Sequence, residues 1–194
     1  MARTKEFDPD AALQSALELF WERGYEATSM ADLVARLGVA RASIYATFGS
    51  KHDLYLAALD RYRDWRNPGL VEELSQPGPV LPAIRAIVER FARQSHEEPT
   101  RLHGCFMTNT AVELAAHDAG AARIVEQGWN EMETAFTAAL IRARAQGELG
   151  PDRDPRALAQ FLLVLMQGMR VVGKAGPDPQ RLRAAAQQAL TLLD

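Results

Sequence analysis

Two capping boxes frame the most constrained stretch of the chain. Ser29 with Asp32, and Ser50 with Asp53, each pair a hydroxyl with a carboxylate three residues later. In that pattern two orphan donors at a helix start are satisfied reciprocally. Between the boxes lie Gly38 and Gly49, residues suited to stop a helix. The interval therefore predicts two short helices joined by a tight turn. The first carries Met30, Leu33, Val34 and Leu37 on one face. The second runs from about Ala40 to Thr47, anchored by Val39, Ile44 and Phe48. Two short helices with a glycine turn and apolar anchors form a helix-turn-helix.

The rest of the chain is punctuated the same way. Asp8-Pro9 and Asp154-Pro155 are cap-then-proline starts. The first opens a helix closed by Gly24, the second a helix reaching about Lys174. Ser50 opens a fourth helix, with Asn67-Pro68-Gly69 as its end or a kink. After the linker Gln76–Pro79, a helix runs from Leu81 to about Ser95, and Glu98-Pro99 interrupts it. Gly104 to Ala116 reads as one helix, Asp118 caps a long one to about Gln146, and a last one spans about Gln180 to Leu193. The 33 alanines against 24 β-branched residues (10 Val, 5 Ile, 9 Thr) favour helix as well. The expected fold is all-α, with about nine helices.

Several classes are set aside. The longest apolar run, Phe161–Met166, is too short to span a bilayer. The N-terminus has no apolar stretch of the secretory kind. The lone Cys105 leaves no intrachain disulfide, and a reducing cytoplasm is expected. No nucleophile elbow, P-loop, dinucleotide fingerprint or metal-binding helix motif is present, so no enzyme, cofactor or metal is expected. His96, His103, Cys105, Glu113, His117 and Asp118 lie near one another in sequence, but their spacing matches no metal site.

The net charge of −3 gives no hint of nucleic acid. Over residues 28–51, however, Arg36, Arg41 and Lys51 face one acid, Asp32. The residue types fit a major-groove reader. Arg41 starts the second short helix, Ser43 lies beside it, and Tyr45 and Thr47 offer hydroxyls. Lys51 sits in the first turn of the next helix, where backbone N–H groups also favour phosphate. Thr28 offers a cap and a phosphate contact, and Arg3 with Lys5 forms a short basic arm. From these residues alone, an all-helical dimeric interaction or ligand-binding protein without DNA remains the alternative.

Gly24-Tyr25-x-x-Thr28-Ser29-Met30-x-x-Leu33, followed by Leu37–Tyr45, Phe48-Gly49-Ser50-Lys51 and Leu54, resembles the N-terminal signature of TetR-family transcriptional regulators. Where many members carry histidine at position 46 or 47, this chain has Ala46 and Thr47. The resemblance implies a DNA-binding domain over residues 1–49 and an effector-binding and dimerisation domain over residues 50–194. It implies that Thr28, Tyr45 and Lys51 hold phosphates, and that Arg41, Ala42, Ser43 and Thr47 face a double-stranded, palindromic operator. It further implies a homodimeric repressor released by a small-molecule effector.

For the dimer surface, the apolar helix with Leu158, Phe161, Leu162, Leu165 and Met169 is the first candidate. The last helix, with Leu182, Ala186 and Leu190, is the second. An effector site among the middle helices has Trp65, Phe91, Phe106, Trp129, Met132 and Phe136 as candidate walls. Asn109 and Glu113 lie four apart beside Cys105. Cys105 opens a helix, where the dipole lowers a thiol pKa. Gly104-Cys105, with Gly168 and Lys174, also resembles a TetR subgroup that handles electrophiles and oxidants. That likeness implies a sensor role for Cys105 with Lys174 as its partner.

Overall fold

A computed structural model describes residues 7–95, 97, 100–176 and 178–194. Of the readings above, the Arg3–Lys5 arm, His96 and the Glu98-Pro99 interruption lie outside them. The described residues form ten α-helices and no strand.

Helices α1 (Pro9–Arg23), α2 (Met30–Leu37) and α3 (Arg41–Phe48) form the N-terminal unit. Asp8 caps α1 by accepting from the Asp10 and Ala11 amides. Ser29 and Asp32 close the first capping box on α2, and Gly38 ends that helix at φ 65°, where a side chain would strain the turn. Helix α4 (Lys51–Ser75) opens on the Ser50–Asp53 box. The serine donors hold the Asp32 and Asp53 carboxyls below the usual range. Both boxes are therefore intact at neutral pH and are lost only in acid, as the pH falls below the ordinary carboxylate range.

Pro68 neither ends nor breaks α4, which continues to Ser75. Leu70 and Leu74 beyond it pack on the C-terminal core, and that burial outweighs the local cost of the proline. The single helix expected over 104–116 is shorter at both ends. A turn, α6 (Thr100–His103), precedes Gly104 at φ 70°, and α7 spans Phe106–Glu113. The left-handed glycine and the extended Cys105 separate the two.

The remaining helices are α5 (Val80–Gln94), α8 (Ala119–Ala145), α9 (Pro155–Ala175) and α10 (Pro179–Leu190), followed by a 3-10 turn over Thr191–Leu193. By length and composition α9 alone among the described residues is apolar enough to cross a membrane. In the structure it is the central strut of the C-terminal bundle, with Leu158, Leu162, Met166 and Met169 in the core. It passes so close to the end of α5 that a Cβ at Gly173 would lie 2.2 Å from the Ser95 carbonyl oxygen.

Two cores result. One joins α5, α8, α9 and α10. The other runs from α1, α2 and α3 through Leu54, Tyr55, Leu59 and Tyr62 of α4 to Phe106, Met107 and Ile124 of α7 and α8. The N-terminal unit is thus not sealed at residue 49. Its core continues into the first half of α4 and onto α7.

Candidate nucleic-acid interface and internal cavity

Helix α3 turns Ile44 inward and leaves Arg41, Ala42, Tyr45 and Ala46 exposed, with Ser43 and Thr47 half-buried. Arg41 donates from Nη2 to the Tyr45 hydroxyl at 3.1 Å, with its guanidinium carbon 5.5 Å from the ring centroid. The two longest side chains on this face therefore hold each other in position. Lys51, the first residue of α4, places its ammonium 4.1 Å from the centroid of the Tyr25 ring.

Thr28 departs from expectation. Its side chain is fully buried, and its hydroxyl donates to the Gly24 carbonyl at 2.6 Å. Ser29, not Thr28, caps α2. The Thr28 hydroxyl is therefore committed to the fold and is not free for a phosphate.

The N-terminal unit is tied to α7 by polar links. Glu113 accepts from the Tyr25 and Glu26 amides at 3.2 and 2.9 Å. Trp21 donates its indole N–H to the Gly104 carbonyl at 3.1 Å. The buried Tyr55 and Thr110 hydroxyls meet at 2.8 Å. His52 pairs with Asp118, whose carboxyl is held below its ordinary value chiefly by the Ala121 amide. Glu113 is thus a clamp on the loop before α2, and it lines a groove with Asn109 and Lys174.

Between α4, α5, α7, α8 and α9 lies a cavity of about 320 Å³. Cys105, Trp129, Phe91 and Met132 line it. Tyr62 donates its hydroxyl to the Cys105 sulfur at 3.7 Å, a long contact even for sulfur, and burial pushes that phenol far up. The other candidates sit elsewhere. Phe136 and Phe106 are fully buried in the two cores, and Trp65 is exposed. Lys174 donates to Asn109 at 3.4 Å, and both line a separate groove beside Glu113. Arg170, one turn earlier on α9, does share a cavity wall with Cys105, as do Arg66 and Arg90. Among the described residues no three His, Cys, Asp or Glu side chains gather as metal ligands.

Six of the eight candidate dimer residues also move. Leu158, Leu162, Met169, Leu182, Ala186 and Leu190 are buried in the core of their own chain, because α8 and α10 cover that side of α9. Leu165 is partly buried against the same core, and Phe161 is exposed. The open face of α9 instead carries Phe161, Val164, Gly168, Val171 and Ala175, one stripe at helical spacing.

Residues 12–58 match the profile of the bacterial regulatory proteins of the tetR family, and residues 80–189 match the tetracyclin repressor-like C-terminal domain. The chain belongs to the TetR family. It is 40% identical to the HTH-type transcriptional regulator YezE of Bacillus subtilis (strain 168) over 195 residues, covering 100% of each chain. It is 35% identical to the transcriptional repressor ComR of Escherichia coli (strain K12), covering 98% of this chain and 90% of that one. Among solved structures it superposes on the TetR-family regulator CifR, a cysteine mutant bound to 26-bp operator DNA, with a TM-score of 0.84. That match is 26% identical and covers 98% of both chains. This TetR-family protein is accordingly a DNA-binding transcriptional regulator with an N-terminal helix-turn-helix and a helical C-terminal domain, not an enzyme.

Proposed function

We propose that this TetR-family protein is a cytoplasmic repressor that sits as a homodimer on a palindromic operator. It leaves when the cavity between α4 and α9 is filled or when Cys105 is modified. Residues 1–49 read the DNA and residues 50–194 sense and dimerise, with the first half of α4 shared between them. Arg41, Ala42, Ser43 and Thr47 face bases, and Tyr45 and Lys51 hold phosphates. The exposed α9 stripe of Phe161, Val164, Gly168 and Val171 meets its twin across a two-fold axis, where Gly168 allows close approach. ComR is a named repressor, and CifR is named on its operator; both favour this reading.

The observation that carries it is the short path from cavity to reading head. Cys105 and Tyr62 line the cavity. Tyr62 meets Trp21 of α1 edge-on, with centroids 5.2 Å apart. At the far end of α7, Glu113 holds the Tyr25 and Glu26 amides, and the Tyr25 ring lies under the Lys51 ammonium. A ligand that shifts α7 or α4 therefore moves the loop on which a DNA-contacting lysine rests. Such a switch needs only a few kcal/mol of differential affinity between two dimer geometries, roughly 1–3 kcal/mol per coupling.

A gel shift with DNA upstream of the protein's own gene tests the reading. The wild-type dimer is expected to bind at low salt and to be released by an electrophile such as N-ethylmaleimide. Cys105→Ser is expected to bind equally well and to resist that release. A folded dimer that does not bind at low salt refutes the DNA assignment. A Cys105→Ser protein released like wild type refutes the thiol route alone.

A further inference from the structure

On the inner side of α9, Arg170 is only 2% exposed, and among the described residues none of its three guanidinium nitrogens has a hydrogen-bond partner. Its central carbon lies 3.8 Å from the centroid of the Phe91 ring. A guanidinium stacked on an aromatic ring has one face covered, while its N–H donors remain in its own plane. Arg170 and Phe91 both line the 320 Å³ cavity.

A buried cation without a counter-ion is costly. Desolvation pulls the Arg170 pKa down, but a guanidinium stays protonated in a protein. The titratable groups that influence it are Cys105, Tyr62 and Arg66. Tyr62 stays a neutral phenol, and Arg66 adds positive charge. Glu73 is the acidic residue on the cavity wall, and both its carboxylate oxygens are taken by Arg90. A second group on the wall is also orphaned: the buried indole N–H of Trp129. Both orphans can only donate, so a ligand that satisfies them must bring acceptors.

We infer that the cavity takes a small organic monocarboxylate, its carboxylate on Arg170 and its apolar body against Met132 and Met166. The planar guanidinium fork matches a carboxylate in two parallel hydrogen bonds. One carboxylate neutralises the buried guanidinium, while Arg66 on the same wall is exposed and keeps its charge in solvent. The volume limits the ligand to a compact molecule, at the small end of ligand sites. This inference deepens the proposed function and rests on the cavity being the effector site.

The test uses the full-length dimer, with hexanoate and benzoate as probes and hexanamide and benzamide as their neutral counterparts. Binding is read by titration calorimetry and thermal shift. At least one acid is expected to bind wild type about tenfold or more tightly than its amide, the factor a charge-assisted pair supplies. Arg170→Met, which keeps length and removes the charge, is expected to lose that preference while melting no lower than wild type and still shifting the operator. Arg170→Lys is expected to fall between them. Equal binding of acid and amide, failure of both acids to bind, or an Arg170→Met protein that holds the acid like wild type would overturn the inference. Operator release is read separately. An acid bound through Arg170 that leaves the operator occupied defeats the release mechanism and not the ligand class. Release by an amide with no preference for the acid does the opposite.

Discussion

Replacing Tyr45 and Lys51 together by alanine is expected to weaken operator binding by about a hundredfold or more, with the dimer and its melting temperature little changed. In the proposed complex each residue gives a hydrogen bond to a phosphate, and bonds to a charged partner are worth roughly 1.5–3 kcal/mol. Two such losses amount to about 3–6 kcal/mol, which is beyond a hundredfold in affinity. The stability side is small. Tyr45 is 40% exposed and sits outside the core. Lys51 loses only its contact over the Tyr25 ring, worth about 0.5–1 kcal/mol at a surface site. Fluorescence anisotropy on a labelled operator, with sedimentation of the free protein, separates the two effects. Binding within a few-fold of wild type would remove both residues from the interface. Because the affected contacts are to backbone, the loss should be uniform across operator sequences and should flatten the salt dependence. Arg41→Ala, in contrast, should relax sequence preference.

Val164→Glu is expected to yield a folded monomer that binds its operator about a hundredfold or more weakly. Val164 is 70% exposed in the single chain, so the substitution costs little within one protomer. In a two-fold interface it appears twice. A carboxylate buried without a partner costs roughly 3–5 kcal/mol, so two copies approach the roughly 8 kcal/mol that holds a micromolar dimer. Separating the protomers also removes the linkage between half-sites, which by itself contributes about 10²–10⁴ to apparent affinity. Light scattering gives the mass, and a melt near the wild-type temperature confirms the fold. A Val164→Glu protein that remains a dimer would place the interface away from the α9 stripe.

The reading head was legible because its determinants are local. Ser29, Asp32, Gly38, Gly49, Ser50 and Asp53 act on backbone within a turn of themselves, and each occupies the cap position its chemistry suits. Thr28 shows where that logic stops. A threonine beside a cap offers the same hydroxyl whether it faces solvent or, as here, lies wholly buried under the α1–α2 loop. Pro68 is a second case, since its local effect is offset by leucines that contact residues far away in sequence.

The sensor half was less legible because its partners are distant. An apolar helix such as α9 announces that it is covered, not by what. Leu158, Leu162 and Met169 look the same in a sequence whether a twin helix or α8 covers them. Glu113 is separated from Tyr25 by 88 positions, so its role as a clamp has no local signature. Arg170 did leave a signal. It follows Met166 by one helical turn inside a stretch, Val164–Val172, whose only other polar side chain is Gln167, and so belongs to the buried face. A lone arginine at that position in a core stripe, without an acid one turn away, marks a charge waiting for a partner.

Two α3 helices, fixed by one dimer, are expected to read two half-sites of one operator. Hydroxyl-radical footprinting of the wild-type dimer on the DNA upstream of its own gene tests it most directly. The expected pattern is two protected segments related by a dyad and centred about one helical turn apart, roughly 34–36 Å, or a small multiple of that. Protection of a single segment, or of segments with no dyad between them, would contradict it.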